Sequence, residues 1–240
     1  MSAIFRLPIV LVLVLFVIVG STFAVTTPIF EASDELWHYP VIWRLAQGQG
    51  LPVLDAHDPG PWRQEAGQPP LYYFIMALAT RWIDTTDMHA VRRLNPHVDS
   101  GVVTADGNTN LAIHTDTENF PWRGTVLAVR LVRLLSVLLG TGTVYLTYRL
   151  ALEIRPDWPE LAVGAAGGLA FTPMFGFIAG SVNNDNLAIL IASATVLLIT
   201  RMGATGDTGK KLRFVFKSQW EQVRGHISIM HLMLGILLGL

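Results

Sequence analysis

Residues 7–25 run from Leu7 to Val25 without one charged side chain. A helix needs about 20 apolar residues to cross the hydrocarbon core of a bilayer. In lipid the backbone must satisfy its own hydrogen bonds, which leaves only helices and closed barrels as spanning forms. The run is therefore read as a transmembrane helix, with Arg6 before it and Pro8 near its start. Thr22-Phe23-Ala24 would also pass as a signal-peptide cleavage site. Further apolar runs at 125–152, 161–180, 187–200 and 227–240 favour a membrane anchor instead. The chain stops inside the last of these, as an N-terminal portion of a longer protein would.

Composition agrees. The chain is 51% hydrophobic and 15% charged, with mean hydropathy +0.44, against about 25% charged in soluble domains. The net charge of −1 offers no basic excess for nucleic acid. With no cysteine, disulfides, thiolate metal sites and cysteine nucleophiles are excluded. The expected fold is an all-α polytopic membrane protein of about five transmembrane helices. A first span at 1–25 leads into a large external loop at 26–124 carrying interfacial helices. A helix bundle at 125–240 follows.

Orientation follows from positive charge, which favours the cytoplasmic side. Arg201, Lys210, Lys211, Arg213, Lys217 and Arg224 mark the loop after the fourth run as cytoplasmic. Counting back puts the turn at 183–186 outside. The N-terminus is then cytoplasmic, provided that 71–83 does not cross. That stretch is only about two-thirds of a span. Its Tyr72, Tyr73 and Trp82 suit the headgroup level. In the third run, Gly164 and Gly168 share one helix face with Gly167 nearby, a pattern that predicts close helix packing.

Four groups of residues bear on function. Asp34, Glu35 and His38 follow the first span in Ser33-Asp34-Glu35-Leu36-Trp37-His38, with Ser33 a candidate helix N-cap. In a helix Asp34 and His38 lie one turn apart. A carboxylate there can act as general base, and Glu35 or His38 can orient it or hold a metal. Acids also simply favour a helix N-terminus. Asn183-Asn184-Asp185-Asn186 forms a short turn, where such residues are ordinary, yet Asp185 falls at the same membrane face as Asp34. Arg130 and Arg133, three apart in the second span, meet either a structural acid or a lipid-linked phosphate. Gln68-Pro69-Pro70-Leu71-Tyr72-Tyr73 stiffens the start of the short apolar stretch. The polar stretch Asn108, Asn110, His114, Asp116, Glu118 is either a lid or a solvated loop.

Two motifs mislead. Asp34-Glu35-x-x-His38 imitates a helicase box without a P-loop. Gly203-Ala204-Thr205-Gly206-Asp207-Thr208-Gly209-Lys210-Lys211 lacks the Ser or Thr that a P-loop places after its lysine.

Taken in order, the motifs resemble the GT-C superfamily of polytopic glycosyltransferases. This group includes protein O-mannosyltransferases, aminoarabinose transferases and oligosaccharyltransferase catalytic subunits. The resemblance rests on Asp34-Glu35 after the first span and on Gln68 to Tyr73. It also rests on Arg130-Leu131-Val132-Arg133 in the second span, and on Pro173-Met174-Phe175 with Asp185 at the third. It implies a membrane glycosyltransferase that moves a sugar from a polyprenyl-phosphate donor to an acceptor at the external face. Asp34 would be the catalytic base. Asp185 would be a second acid placing the acceptor or a divalent cation. Substrate contacts would come from His38, Gln68, Tyr72, Arg130, Arg133 and Asn184. Gln68 stands where many such proteins have His, and the insert at 84–124 is longer. The competing readings are a non-catalytic membrane subunit that binds lipid or protein partners, and a transporter. A transporter would show broken helices or paired charges within the membrane.

Overall fold

The computed structural model describes residues 6–32, 34–55, 57–97 and 109–205. Regular structure among them is helical, apart from one isolated antiparallel bridge between Leu94 and Ala112. The α-helices are α1 (Arg6–Thr26), α2 (Glu35–Ala46), α3 (Leu71–Thr80), α4 (Met88–Val91), α5 (Gly124–Ile154), α6 (Pro159–Ala170), α7 (Pro173–Ala179) and α8 (Asp185–Thr205). Short 3₁₀ turns occupy Arg63–Gly67 and Asp116–Glu118. Ser33, the candidate N-cap, and Asn108 lie outside the described residues.

Among the described residues three helices, α1, α5 and α8, are long and apolar enough to cross a membrane, and α6 with α7 makes a fourth if the pair is one span. The molecule is thus built as a membrane protein is built. The run at 227–240 and most of the basic loop that sets the orientation lie outside the described residues. Helix α1 exposes Leu7, Val10, Leu11, Val14 and Ile18, an outward surface suited to lipid. Its buried stripe, Ile9, Val12 and Phe16, recurs at helical spacing and faces the bundle.

Helix α5 is the hub, touching α1, α3, α4, α6, α7 and α8. Small residues let the backbones meet. A Cβ added to Gly20 would come within 3.1 Å of Val137, and one added to Gly140 within 2.9 Å of Ala179. Gly180 is tighter still, with the Phe23 side chain at 2.8 Å and the Gly20 carbonyl at 2.9 Å. The glycines that fasten this bundle are therefore Gly20, Gly140, Gly142 (whose added Cβ would lie 2.9 Å from Leu190) and Gly180. The expected trio does not do so among the described residues, none of which comes within 4 Å of a Cβ at Gly164, Gly167 or Gly168.

The third apolar run is also not one straight helix. It breaks between Ala170 and Pro173 with a bend of 67°. Pro173 supplies the reason. It has no N–H to continue the ladder, and it forces the preceding residue out of the helical region. Thr172 accordingly sits at φ −69°, ψ 114°.

Helix α3 has 10 residues, too few to cross. It buries Tyr72, Tyr73, Met76 and Ala77 against α2 and α5, and leaves Leu71, Phe74, Ile75 and Leu78 exposed.

Candidate functional site

The site is built around the junction where α1 ends. A helix C-terminus leaves backbone carbonyls without partners and carries partial negative charge. Here two guanidiniums from α5 supply donors. Arg130 Nη1 donates to the carbonyls of Ala24 and Thr27, and Arg133 Nη1 donates to the same two. Arg133 Nη2 also reaches the Pro28 carbonyl at 2.9 Å.

Glu35 completes this knot. Its Oε1 accepts from Arg133 Nη2 at 2.6 Å and from the Phe30 N–H at 3.0 Å. Its Oε2 accepts from Arg133 Nε at 2.8 Å and from the Val182 N–H at 3.0 Å. Both side chains are 0% exposed. A carboxylate offers about four acceptor positions, and those of Glu35 are filled. Arg133 likewise has its five N–H groups committed, to Glu35, Ala24, Thr27 and Pro28. The sequence expectations for this pair need correcting. Glu35 has no lone pair left for chemistry, and Arg133 has no hydrogen left for a phosphate. Together they bind the stretch between α1 and α2 to α5 and to the segment leading into α8.

Tyr72 is corrected in the same way. It is 1% exposed, and its hydroxyl lies 2.8 Å from Ser136 Oγ on α5. Burial raises its titration, so it remains a neutral packing group.

Asp34 and Asp185 differ from Glu35. Asp34 precedes α2 and Asp185 opens α8, and both side chains are exposed. Asp34 borders a pocket of about 170 Å³ with Phe30, Glu31, Trp37 and Leu111. Both aspartates influence Glu65, a residue that motif reading passed over. It sits in the turn Arg63–Gly67 and is 4% exposed. Its titration is raised by burial first, then by the charge of Asp34, and further by that of Asp185. Both aspartates therefore act on one buried carboxyl. The turn before Asp185 meets the segment after Glu65, since Asn184 Nδ2 donates to Gln68 Oε1 at 3.4 Å. The turn before α8 is held rigid: Asn183 Oδ1 accepts the Asp185 N–H, and Asn186 Nδ2 ties back to Ile178, Ser181 and Asn183 carbonyls.

His38 faces Glu65 from α2. Its Nδ1 lies 2.7 Å from the Tyr73 hydroxyl and 3.3 Å from Glu65 Oε2. Only the contact with Tyr73 is aligned as a hydrogen bond, so Glu65 Oε2 is buried without a partner. Burial lowers the pKa of His38 to about 4, keeping the ring neutral.

Arg130 stands apart. Its Nε is buried with no partner, and its guanidinium lies 5.6 Å from the Trp122 ring centroid. It lines a cleft of about 490 Å³ with Val25, Pro28, His114, Phe120 and Trp122. The polar stretch beside it is neither a free loop nor a loose lid. Glu31 accepts the N–H groups of Leu111 and Ala112, and His114 bridges Glu31 and Glu118 at 3.1 and 2.7 Å. Among the described residues no three His, Asp or Glu side chains converge as metal ligands.

A sequence signal for Glu65 did exist. An acid three residues before a Gln-Pro-Pro helix start is carried towards the same bundle mouth as the helix itself. No family model, curated protein or solved structure matches the chain.

Proposed function

We propose that the protein is a GT-C-like membrane glycosyltransferase whose site opens between Asp34 and Asp185. The observation that supports this reading most is that two exposed, unpaired aspartates from separate loops bear on the same buried Glu65. In this reading Asp34 takes the proton of an acceptor hydroxyl as that oxygen attacks the anomeric carbon of a polyprenyl-linked sugar. The bond from that carbon to the phosphate oxygen breaks, the phosphate leaves with the electron pair, and the anomeric centre inverts. A base must stand within hydrogen-bond distance of its acceptor, and an exposed carboxylate at a pocket rim permits that. Of the two arginines, Arg130 is the one with donor capacity for the leaving phosphate. Gln68 and Asn184 would contact the sugar. The interfacial seat of α3, the external position of 26–124 and a cytoplasmic N-terminus belong to the same proposal.

The transporter reading has the broken pair α6 and α7 in its favour, and Arg133 with Glu35 is a buried charge pair. A relay needs charges that can change partners, and every donor of Arg133 is already committed. The non-catalytic subunit reading would require Asp34 and Asp185 to be dispensable.

The test is transfer of a radiolabelled sugar from a polyprenyl-phosphate donor by membranes containing the protein. Asp34→Asn keeps shape but cannot accept the proton, and should lose ~10²–10⁴-fold in rate. Unchanged turnover would remove Asp34 from catalysis, and no transfer by the native protein would favour the subunit reading.

A further inference from the structure

Glu65 has no place in the chemistry above, yet it is the least satisfied acid of the site. Oε2 is shut off from solvent and has no hydrogen-bond donor. Leaving a buried acceptor unpaired costs about 1–3 kcal/mol, so such an atom demands an explanation. The backbone around it is strained as well. Arg63, which opens the turn, has φ +46°, and Phe30, which donates to Glu35, has φ +68°. Non-glycine residues in this region cost on the order of 1–3 kcal/mol each and gather at functional sites.

The neighbour of Oε2 is His38 Nδ1, at 3.3 Å. Nδ1 is also 2.7 Å from the Tyr73 hydroxyl. A neutral imidazole carries one proton, on Nδ1 or on Nε2. If Glu65 is charged, an Nδ1 lone pair pointing into that corner is repelled and an N–H is attracted. This attraction needs proximity and low dielectric, not alignment. If Glu65 is neutral, the attraction vanishes, and the Tyr73 O–H can donate into the Nδ1 lone pair. The proton then sits on Nε2. The Nε2 edge has no hydrogen-bond partner among the described residues.

We propose that Glu65 is a positioning residue: its charge selects the tautomer of His38, and so decides whether the Nε2 edge of that ring accepts or donates a hydrogen bond. Above the titration of Glu65, His38 holds its proton on Nδ1 and Nε2 accepts from a ligand hydroxyl. Below it, Nε2–H donates. The surroundings make this switch operable. The groups facing Glu65 are Asp34 and His38 from α2, Tyr73 from α3 and Asp185 from α8. On its own turn, Arg63 is drawn away over the Trp37 ring, 4.9 Å from its centroid, with Arg92 beyond it. Glu65 is shifted up by burial and the two aspartates, while His38 is shifted down to about 4. On acidification the carboxyl therefore gains its proton before the imidazole, the reverse of the order in free amino acids.

This inference rests on the proposed site but not on its chemistry, and its test needs no turnover. The protein is labelled with ¹⁵N-histidine and its imidazole shifts are followed by NMR from pH 8 to pH 4. The His38 signal is identified by its loss in His38→Asn. In the native protein the N–H and lone-pair shifts of Nδ1 and Nε2 should exchange as pH falls, before both nitrogens become protonated. Glu65→Gln, the same size without the charge, should abolish that exchange and leave one tautomer throughout. Tyr73→Phe should keep the exchange but displace its midpoint. An exchange that persists in Glu65→Gln, or its absence from the native protein, overturns the inference. A transfer assay of Asp34→Asn run in parallel separates the two ideas. Full activity of Asp34→Asn removes Asp34 as the base, absence of transfer by the native protein retires the transferase, and in either case an intact Glu65-dependent exchange keeps the tautomer switch.

Discussion

Arg133 and Glu35 form a two-pronged ion pair, 2.6 and 2.8 Å long, in which neither partner touches solvent. Adjacent acids in the sequence thus have opposite fates: Asp34 faces outward and Glu35 is sealed. The pair spans the end of α1, the start of α2, α5 and the segment before α8.

Breaking this pair from one side leaves a buried charge, which typically costs ~3–5 kcal/mol. Glu35→Leu and Arg133→Met should each lower the midpoint of heat-induced unfolding in detergent by on the order of 10 °C. The double substitution should cost less than the sum of the singles, because no orphan charge remains. Additive losses would show that the pair carries no coupling. Either single variant should lose activity through folding, whereas Asp34→Asn should melt as the native protein does.

The glycines give a second contrast. Gly180→Ala pushes a methyl into Phe23 and the Gly20 carbonyl, and such overpacking costs about 1–3 kcal/mol. Gly164→Ala and Gly168→Ala meet open space and lie inside α6. Replacing a mid-helix glycine there should stabilise by roughly 0.5–1 kcal/mol. Thermal melts of the three variants check the sign. Destabilisation by Gly164→Ala would restore the close packing that the sequence pattern predicts at that face.

Glu31 holds the polar stretch in place through two backbone N–H groups. Hydrogen bonds to a charged acceptor contribute about 1.5–3 kcal/mol. Glu31→Ala should therefore speed amide exchange at Leu111 and Ala112 by roughly 10- to 100-fold, with α5 unchanged. Equal exchange in both proteins would make the segment self-supporting.

Period and length made the spans legible. Runs of mostly apolar residues read directly as α1, α5 and α8. The break at Pro173 was equally open to view, since proline states its own consequence, but length alone argued for continuity. Asp34 and Asp185 were legible as acids beside helix starts, and both are exposed. What sequence spacing could not deliver was partnership. Glu35 and Arg133 are 98 residues apart and Glu35 and Val182 are 147 apart, and only three-dimensional packing decides which arginine meets which acid. Glu65 was hidden for the same reason, because its significance lies in having lost its partners, a property that belongs to the fold.

The buried imidazole makes a prediction about pH. His38 has a folded pKa of about 4 against 6.5 when free. The unfolded chain therefore binds more protons between these values, and stability rises with pH across that window. Its contribution is complete above about pH 6.5 and is lost as pH falls towards 4. At 1.36 kcal/mol per pKa unit, the loss is ~3 kcal/mol. Glu65 acts in the other direction. Its raised folded pKa means that the native state binds the proton more tightly, so its contribution is present at low pH and disappears as pH rises through its folded value. The native protein should show a net loss of stability from pH 6.5 to pH 4. His38→Asn should remove that loss and expose the opposite slope of Glu65. Melting midpoints of both proteins between pH 4 and pH 8 decide it. An unchanged acid-side slope in His38→Asn would assign the sensitivity to another group.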